Sequence, residues 1–412
     1  MIEMKNSGVE WLGEIPDDWE VWKVKHAFIR KNEKAMQENP TILSLARSGV
    51  KERDISNNEG QLAESYYNYN PVEIDDLLIN PMDLYSGANC SISKVKGVIS
   101  PAYINLKAKK GISPVFYDYY FKVQYWLMAF FAHGNGVSFE NRWTLNNETL
   151  QNYPIVAPSF ETQQRIASYL DKKCSKIKET IQNQQQVIEK LKAYKQSLIT
   201  EVVTGKIKIK NGKVCGKYES YKKSGIDWIE TIPDTWCVCK IKYICTMQAG
   251  KTLSSEMISE KGLYPVYGGN GKRGFYTEYN TEGKYILIGR QGALCGNVHL
   301  VNGKFWATEH AVVTTPNRDV GINYLFYLLS SMNLNQYVSY TAAQPGLSVS
   351  TIINLKTIII KSIDDQKSIV DYLDKKCTAI DTAIEQKQKL IEKLTEYKKS
   401  LIYECVTGKK EC

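Results

Sequence analysis

Between residues 167 and 202, apolar or small side chains return at alternating steps of three and four: Ala167, Leu170, Cys174, Ile177, Ile181, Ile188, Leu191, Leu198 and Val202. Only Gln184 and Lys195 interrupt the series. That period draws an a/d stripe down one face of a long helix. The stripe recurs at Val370, Leu373, Cys377, Ile380, Ile384, Ile391, Leu394, Leu401 and Cys405, broken only by Lys387 and Lys398. Pro158 precedes the first helix, Asp364 offers an N-cap for the second, and Gly205 and Gly408 stand where a C-cap would stop each. A lone helix cannot bury such a stripe, and two in one chain supply each other's partner. At 1.5 Å rise per residue each helix reaches ~60 Å.

The segments between the helices are mixed. Residues 72–79, 285–289 and 355–361 are β-rich runs bounded by Gly, Asn and Pro turns, which predicts strands. Residues 115–133 and 321–338 are apolar and aromatic, which predicts helices. Each helix ends at a loop: GNGVS at 134–138 and AQPGLS at 343–348.

The chain is written twice. Residues 7–25 (SGVEWLGEIPDDWEVWKVK) and 224–242 (SGIDWIETIPDTWCVCKIK) agree at ten of nineteen positions, at an offset of 217. Residues 169–206 and 372–409 agree at twenty-three of thirty-eight, at an offset of 203. The order is opening motif, variable body, long helix and linker, then the same again. So long a period excludes a solenoid and makes this a tandem duplication of a globular-plus-helix unit. Shared frames with dissimilar bodies predict two sites reading two different things.

Composition narrows the classes. Apolar residues are 43% and charged residues 24% of 412, a globular balance that excludes disordered and collagen-like chains. The longest unbroken apolar stretch, Trp126 to Ala132, falls far short of the ~18 residues of a membrane span. The first residues carry acids and no apolar core, so no signal peptide and a cytoplasmic location are expected. Net charge is +9. Seven lysines (206, 208, 210, 213, 217, 222 and 223) face Glu219 alone within 205–223, a run that fits a solvated linker and a phosphate contact equally well.

Enzyme signatures fail one by one. The ten cysteines contain no C-x-x-C, so Cys237, Cys239 and Cys245 read as strand thiols and no metal site is expected. Gly250, Lys251 and Thr252 would end a P-loop whose first glycine falls on Cys245. Gly269, Gly271 and Gly274 form G-x-G-x-x-G, but strand formers follow where a dinucleotide site needs a helix, so a glycine turn is expected. Asp17, Asp18, Glu20 and Lys23 read as turn residues, since of the three acids the repeat keeps only Asp234. Asn80-Pro81-Met82 is not an amino-methylation loop, and four scattered histidines nominate no catalytic triad.

What remains is a set of polar loops with the donors that read bases: Arg47, Lys51 and Arg53; Asn135, Asn141 and Arg142; Asn270, Lys272 and Arg273; Arg290 and Gln291; Gln344 and Ser348. Arg pairs with guanine and Asn or Gln with adenine in the major groove, while Lys and Tyr hold phosphates.

The chain resembles the specificity subunit of a type I restriction-modification system. The resemblance rests on W-x-x-x-I-P-x-x-W (Trp11, Ile15, Pro16, Trp19; Trp228, Ile232, Pro233, Trp236), on the Y-L-D helix starts (Tyr169 and Tyr372) and on the L-I-x-x-x-V-T-G-K ends (Leu198–Lys206, Leu401–Lys409). In the second body YPVYGGNG, YILIGRQGALCGNV, FWATEHAVV and AQPGLS are typical of that family's recognition domains; the first body matches less closely. It implies an α+β fold with two mixed α/β target-recognition domains in tandem pseudo-twofold arrangement, separated by two long antiparallel coiled-coil-like helices. The implied divisions are residues 1–157 (first recognition domain), 158–204 (central spacer helix), 205–223 (basic linker), 224–361 (second recognition domain) and 362–412 (distal spacer helix). Leu170, Ile177, Ile181, Ile188, Leu191, Leu198, Leu373, Ile380, Ile384, Ile391, Leu394 and Leu401 would form the seam.

The resemblance further implies that each domain reads one half of a bipartite, asymmetric site on double-stranded DNA. The helices would set the unread spacer and dock two methyltransferase subunits, with restriction subunits joining them. The chain would be a non-catalytic part of a type I endonuclease and adenine methyltransferase complex, serving phage defence. It would hold no cofactor: S-adenosylmethionine would belong to the methyltransferase chains, ATP and Mg²⁺ to the restriction chains. A stand-alone DNA-binding regulator and a coiled-coil adaptor are the alternatives, and co-purification with a methyltransferase chain separates them.

Overall fold

A computed structural model describes residues 3–55, 63–82, 84, 89–136, 143–292, 294–338 and 346–412. The chain forms two compact units: Met1–Gln184 with Lys389–Cys412, and Gln185–Gln388. The stripe-bearing segments are the helices Phe160–Val203 and Ile363–Val406. Each unit therefore holds the beginning of one long helix and the end of the other. Ser362, rather than Asp364, caps the second helix, its hydroxyl accepting from Asp365 N; Asp364 lies in the first turn, where its charge suits the helix dipole.

In the first unit a four-stranded antiparallel sheet runs in the order Phe28–Lys31, Ile104–Ala108, Leu77–Ile79, Cys90–Ile92. Helix Pro114–Trp126, started by Ser113 and a proline in its first turn, supplies this unit's aromatic core. Phe116, Tyr117, Tyr120, Phe121 and Tyr125 are buried. Burial of phenols needs acceptors, and Tyr117 donates to Val156 O and Tyr125 to Asn80 O. The predicted helix over 115–133 breaks at Met128, which takes a left-handed conformation before a short turn of helix at Ala129–Ala132. The predicted strand over 72–79 is two strands, Asn70–Val72 and Leu77–Ile79. The buried Asp76 carboxylate, paired with Lys31 at 2.7 Å, accepts from Glu73 N and turns the chain between them.

The second unit holds a six-stranded sheet in the order Cys245–Ala249, Ala311–Pro316, Thr281–Gly289, Val298–Ala307, Tyr264–Gly268, Gly271–Tyr276. All neighbours are antiparallel except Tyr264–Gly268 with Val298–Ala307. Helix Ile322–Ser331 buries Tyr324, Leu325, Leu328 and Leu329 in this unit's core. The predicted helix over 321–338 stops there, and after Asn333 in the left-handed region a 3-10 turn follows at Leu334–Tyr337. Cys237–Lys240 pairs with Lys356–Ile359 as strands.

The stretch 205–223, expected as a basic linker, carries secondary structure of its own. Lys208–Lys210 and Lys213–Gly216 form a hairpin whose Ile209 is buried, and Gly212 N donates to Ser368 Oγ of the second long helix. Its turn is Asn211-Gly212, both at positive φ, the geometry of a two-residue hairpin loop.

The opening motifs serve as seats for helix ends. In the first unit Ile15 and Trp19 are buried in one cluster with Leu401, Ile402 and Val406. In the second unit Ile232 and Trp236 are buried with Leu198, Ile199, Val202 and Val203. Gly408 (φ +74) and Gly205 (φ +79) lie so close to Pro16 and Pro233 that a methyl group on either would overlap the proline ring. That is why the V-T-G-K ends and the I-P-x-x-W motifs repeat together. One difference separates the seats. Cys405 and Cys412 form a disulfide; at the repeat offset of 203 their places are held by Val202 and Ile209, both buried.

Of the seam residues, Leu170, Ile177, Ile188, Leu198, Leu373, Ile380 and Leu401 are buried, while Ile181, Leu191, Ile384, Ile391 and Leu394 are half-buried. In the first unit the two segments run antiparallel: Thr162 and Ile166 share a recess with Gly408 and Lys410, while Cys174 lies by Lys398. In the second, Lys195 meets Asp381 at 2.6 Å. No described helix is long and apolar enough to cross a membrane.

Candidate nucleic-acid interface

In the second unit four chain segments converge at one edge of the sheet. The hairpin Tyr264–Gly268 and Gly271–Tyr276 turns at Gly269-Asn270. Strand Thr281–Gly289 ends beside that turn, so closely that a side chain on Gly289 would overlap the Gly269 carbonyl. The glycines of YPVYGGNG and YILIGRQG thus let two backbones touch. Arg290 and Gln291 emerge from this crossing. Arg290 N donates to His310 O at 3.0 Å, Leu347 N donates to Arg290 O at 2.9 Å, and Gln291 bridges Gly346.

The result is an open cleft of about 260 Å³ lined by Gly269, Asn270, Arg273, Gln291, Gly292 and His310. Beside it is a recess of about 250 Å³ whose lining includes Arg290, Gln291, Tyr337 and Ser348. Of the candidates, the fold brings together Asn270, Arg273 and Gln291 in the cleft, and Arg290, Gln291 and Ser348 in the recess. Arg273 is exposed, its guanidinium 3.4 Å from Ser255 Oγ. Lys272 lies on the same hairpin with its ammonium 3.8 Å from the centre of the Phe275 ring, a cation–π contact. Ser348 spends its hydroxyl on capping helix Val349–Asn354, accepting from Thr351 N at 3.0 Å.

Three residues of this edge were not among the candidates. His310 lines the cleft and stands 3.3 Å from the Glu309 carboxylate. Asn297 donates from Nδ2 to Asn270 Oδ1 at 3.2 Å. The His299 ring packs beneath Gly271, 3.3 Å from where a methyl group would sit, and burial holds its pKa below the usual imidazole value, so the ring is neutral at pH 7. The signal for His310 was present in FWATEHAVV. That for Asn297 was present in YILIGRQGALCGNV, whereas nothing local marked His299, which meets Gly271 only through the fold.

The first unit arranges its candidates differently. Arg47 sits in the turn of the hairpin Leu43–Ala46 and Gly49–Glu52, Lys51 is exposed on its second strand, and Arg53 follows, its N–H donating to Ile42 O. Leu43 and Leu45 anchor this hairpin in a small separate cluster with Val72, Leu78 and Ile99. Asn135 lies on another segment, bridged to Thr144 and next to Gly134, which is packed against Trp143 and Leu84. Asn141, Arg142 and Gln344 lie outside the described residues, as do parts of GNGVS and AQPGLS. Among the described residues no cluster of three or more His, Cys, Asp or Glu groups could hold a metal.

Residues 233–395, most of the second unit, match the family model described as the type I restriction modification DNA specificity domain. The chain is similar in sequence to type I restriction enzyme specificity subunits. It is 46% identical over 136 residues to the type I restriction enzyme EcoprrI specificity subunit of Escherichia coli, a match spanning 32% of this chain and 33% of that one. The chain thus spans a third of that relative's length. It is 24% identical over 367 residues to the type I restriction enzyme MjaVIII specificity subunit of Methanocaldococcus jannaschii, covering 81% and 80% of the two chains. A solved chain from work on complex assembly and conformational transition of the type I R-M system superposes with a TM-score of 0.68 at 13% identity, over 95% of this chain and 98% of that one. At that identity the likeness establishes the fold: two mixed α+β units in tandem with two long helices.

Proposed function

We propose that this chain is the DNA-reading specificity subunit of a type I restriction-modification complex, without catalytic chemistry of its own. The second unit reads one half of a split, asymmetric duplex site through the Gly269–Arg273, Arg290–Gln291 and His310 edge. The first unit reads the other half, with the Arg47–Arg53 hairpin as its contact. The long helices, each shared by both units, set the unread spacer and dock two methyltransferase subunits, which restriction subunits join. S-adenosylmethionine belongs to the methyltransferase chains, and ATP with Mg²⁺ to the restriction chains. The observation that carries this reading is the cleft that gathers Asn270, Arg273 and Gln291 at one exposed edge. An amide, a guanidinium and a second amide are the groups that pair with adenine and guanine edges in the major groove.

The test is selection from randomised duplexes, using the chain with its methyltransferase partner at moderate salt, because phosphate contacts make affinity salt-dependent. A split motif with a fixed gap is expected. One continuous motif, or none, would sink the reading. Two added heptads after Ile188 and two after Ile391 should lengthen the gap and leave both half-sites unchanged; altered half-sites would count against the helices as spacer.

A further inference from the structure

Asn270 is exposed at the tip of its hairpin, in the two-residue turn Gly269-Asn270, whose backbone packs against Gly289 and Gln291 while its side chain projects from the turn. A side chain so placed is free to rotate, and a base contact by it would lose rotamer entropy on every binding event. The structure supplies a support. Asn297, at the foot of strand Val298–Ala307, donates from Nδ2 to Asn270 Oδ1 at 3.2 Å. His299, two residues on, lies beneath Gly271 on the far side of the same turn. Asn297 is itself anchored by its backbone: its carbonyl accepts from Gly289 N at 3.0 Å and its N–H donates to Leu294 O at 3.3 Å. Its position does not depend on its side chain.

The bond also decides which way the Asn270 amide faces. With Oδ1 engaged by Asn297, the NH₂ group is the free donor and the second lone pair of Oδ1 the free acceptor. That donor–acceptor pair matches N7 and the N6 amine of adenine. We infer that Asn297 is the positioning residue of this edge, holding Asn270 in the orientation that selects adenine at one base pair of the second unit's half-site. The inference rests on the DNA-reading function proposed above.

The test repeats the duplex selection with the full chain and its methyltransferase partner, comparing wild type, Asn270→Ala, Asn297→Ala, the nearly isosteric Asn297→Asp, and the double alanine variant. Asn270→Ala should relax one adenine position by about tenfold, the size of a lost bidentate base contact. Asn297→Ala and Asn297→Asp should relax that same position, and the double variant should be no worse than Asn270→Ala, the mark of two residues acting through one contact. The remaining positions of the second unit's half-site, selected unchanged, report that each variant is folded. Uniform weakening with the adenine preference intact, relaxation at several positions, or additive losses in the double variant would each overturn the inference. A wild-type chain that enriches no split motif would overturn the function on which it rests.

Discussion

The two units are built on one frame and differ in what they hang from it. In both, an opening motif seats the end of a long helix through a proline, a buried tryptophan and a glycine with positive φ. In the second unit a six-stranded sheet draws four segments into one polar edge. The first has a four-stranded sheet and a detached hairpin, with Arg47 and Lys51 on one element and Asn135 on another. Packing constrains the frame, because a changed volume at a buried seat is felt at once. The loops answer only to what they touch, so two copies of one frame can present unlike surfaces.

The sharpest way to break this comparison is to exchange a body. Replacing residues 26–157 with the corresponding body of a type I specificity subunit leaves both seats intact; on the proposed function, selection from randomised duplexes should then show one half-site rewritten and the other unchanged. A change in both halves would mean that the units do not read independently. Next in size is the seat itself. Gly408→Val places a β-branched residue at positive φ against Pro16, and Gly205→Val does the same against Pro233. Each should cost about 3 kcal/mol from backbone strain and overpacking together. Hydrogen exchange should show the loss in the first unit for Gly408→Val and in the second for Gly205→Val.

A smaller effect separates the seats. Reducing Cys405–Cys412 opens a short loop and should remove about 2–3 kcal/mol by the chain-entropy account. Denaturant unfolding with and without reductant should place that loss in the first unit, since Val202 and Ile209 hold the second without a covalent bond. The smallest effect concerns the helix pair. Lys195–Asp381 is partly exposed and Lys195→Ala should cost under about 1 kcal/mol. The repeat places Lys178, not Asp, opposite Lys398. Lys178→Asp should therefore stabilise the first unit by a few tenths of a kcal/mol at low salt and by nothing at high salt, measured by chemical denaturation.

The long helices were legible from the sequence because a stripe at period 3.5 repeated over five heptads has one physical meaning, and the duplication made it visible twice. The seats were half legible. The motifs repeat together, but which helix end meets which motif depends on the helix that begins in one unit and ends in the other. The hairpin at 208–216 was obscured by its charge. Lys206-Ile207-Lys208-Ile209-Lys210 alternates polar and apolar as a strand does, and Asn211-Gly212 is a strong local hairpin signal, yet seven lysines drew the reading toward solvent and phosphate. The reading edge was legible only as a list of donors. Asn270, Gln291 and His310 are far apart in sequence and meet because Gly269 and Gly289 let two backbones cross. Nothing in the spacing of Asn297 and His299 marked them as supports.

The glycine seats carry a consequence for how such a chain can change over generations. The repeats are interlocked: the end of each long helix completes the unit that the other repeat begins. Loss of one copy would strip the survivor of its own seat, whereas an exchange of bodies between the seats leaves every interlocking surface untouched. Recombination at the two I-P-x-x-W motifs and the two helix starts is thus the cheapest route by which this architecture acquires a new surface, and deletion of a half is the route it resists.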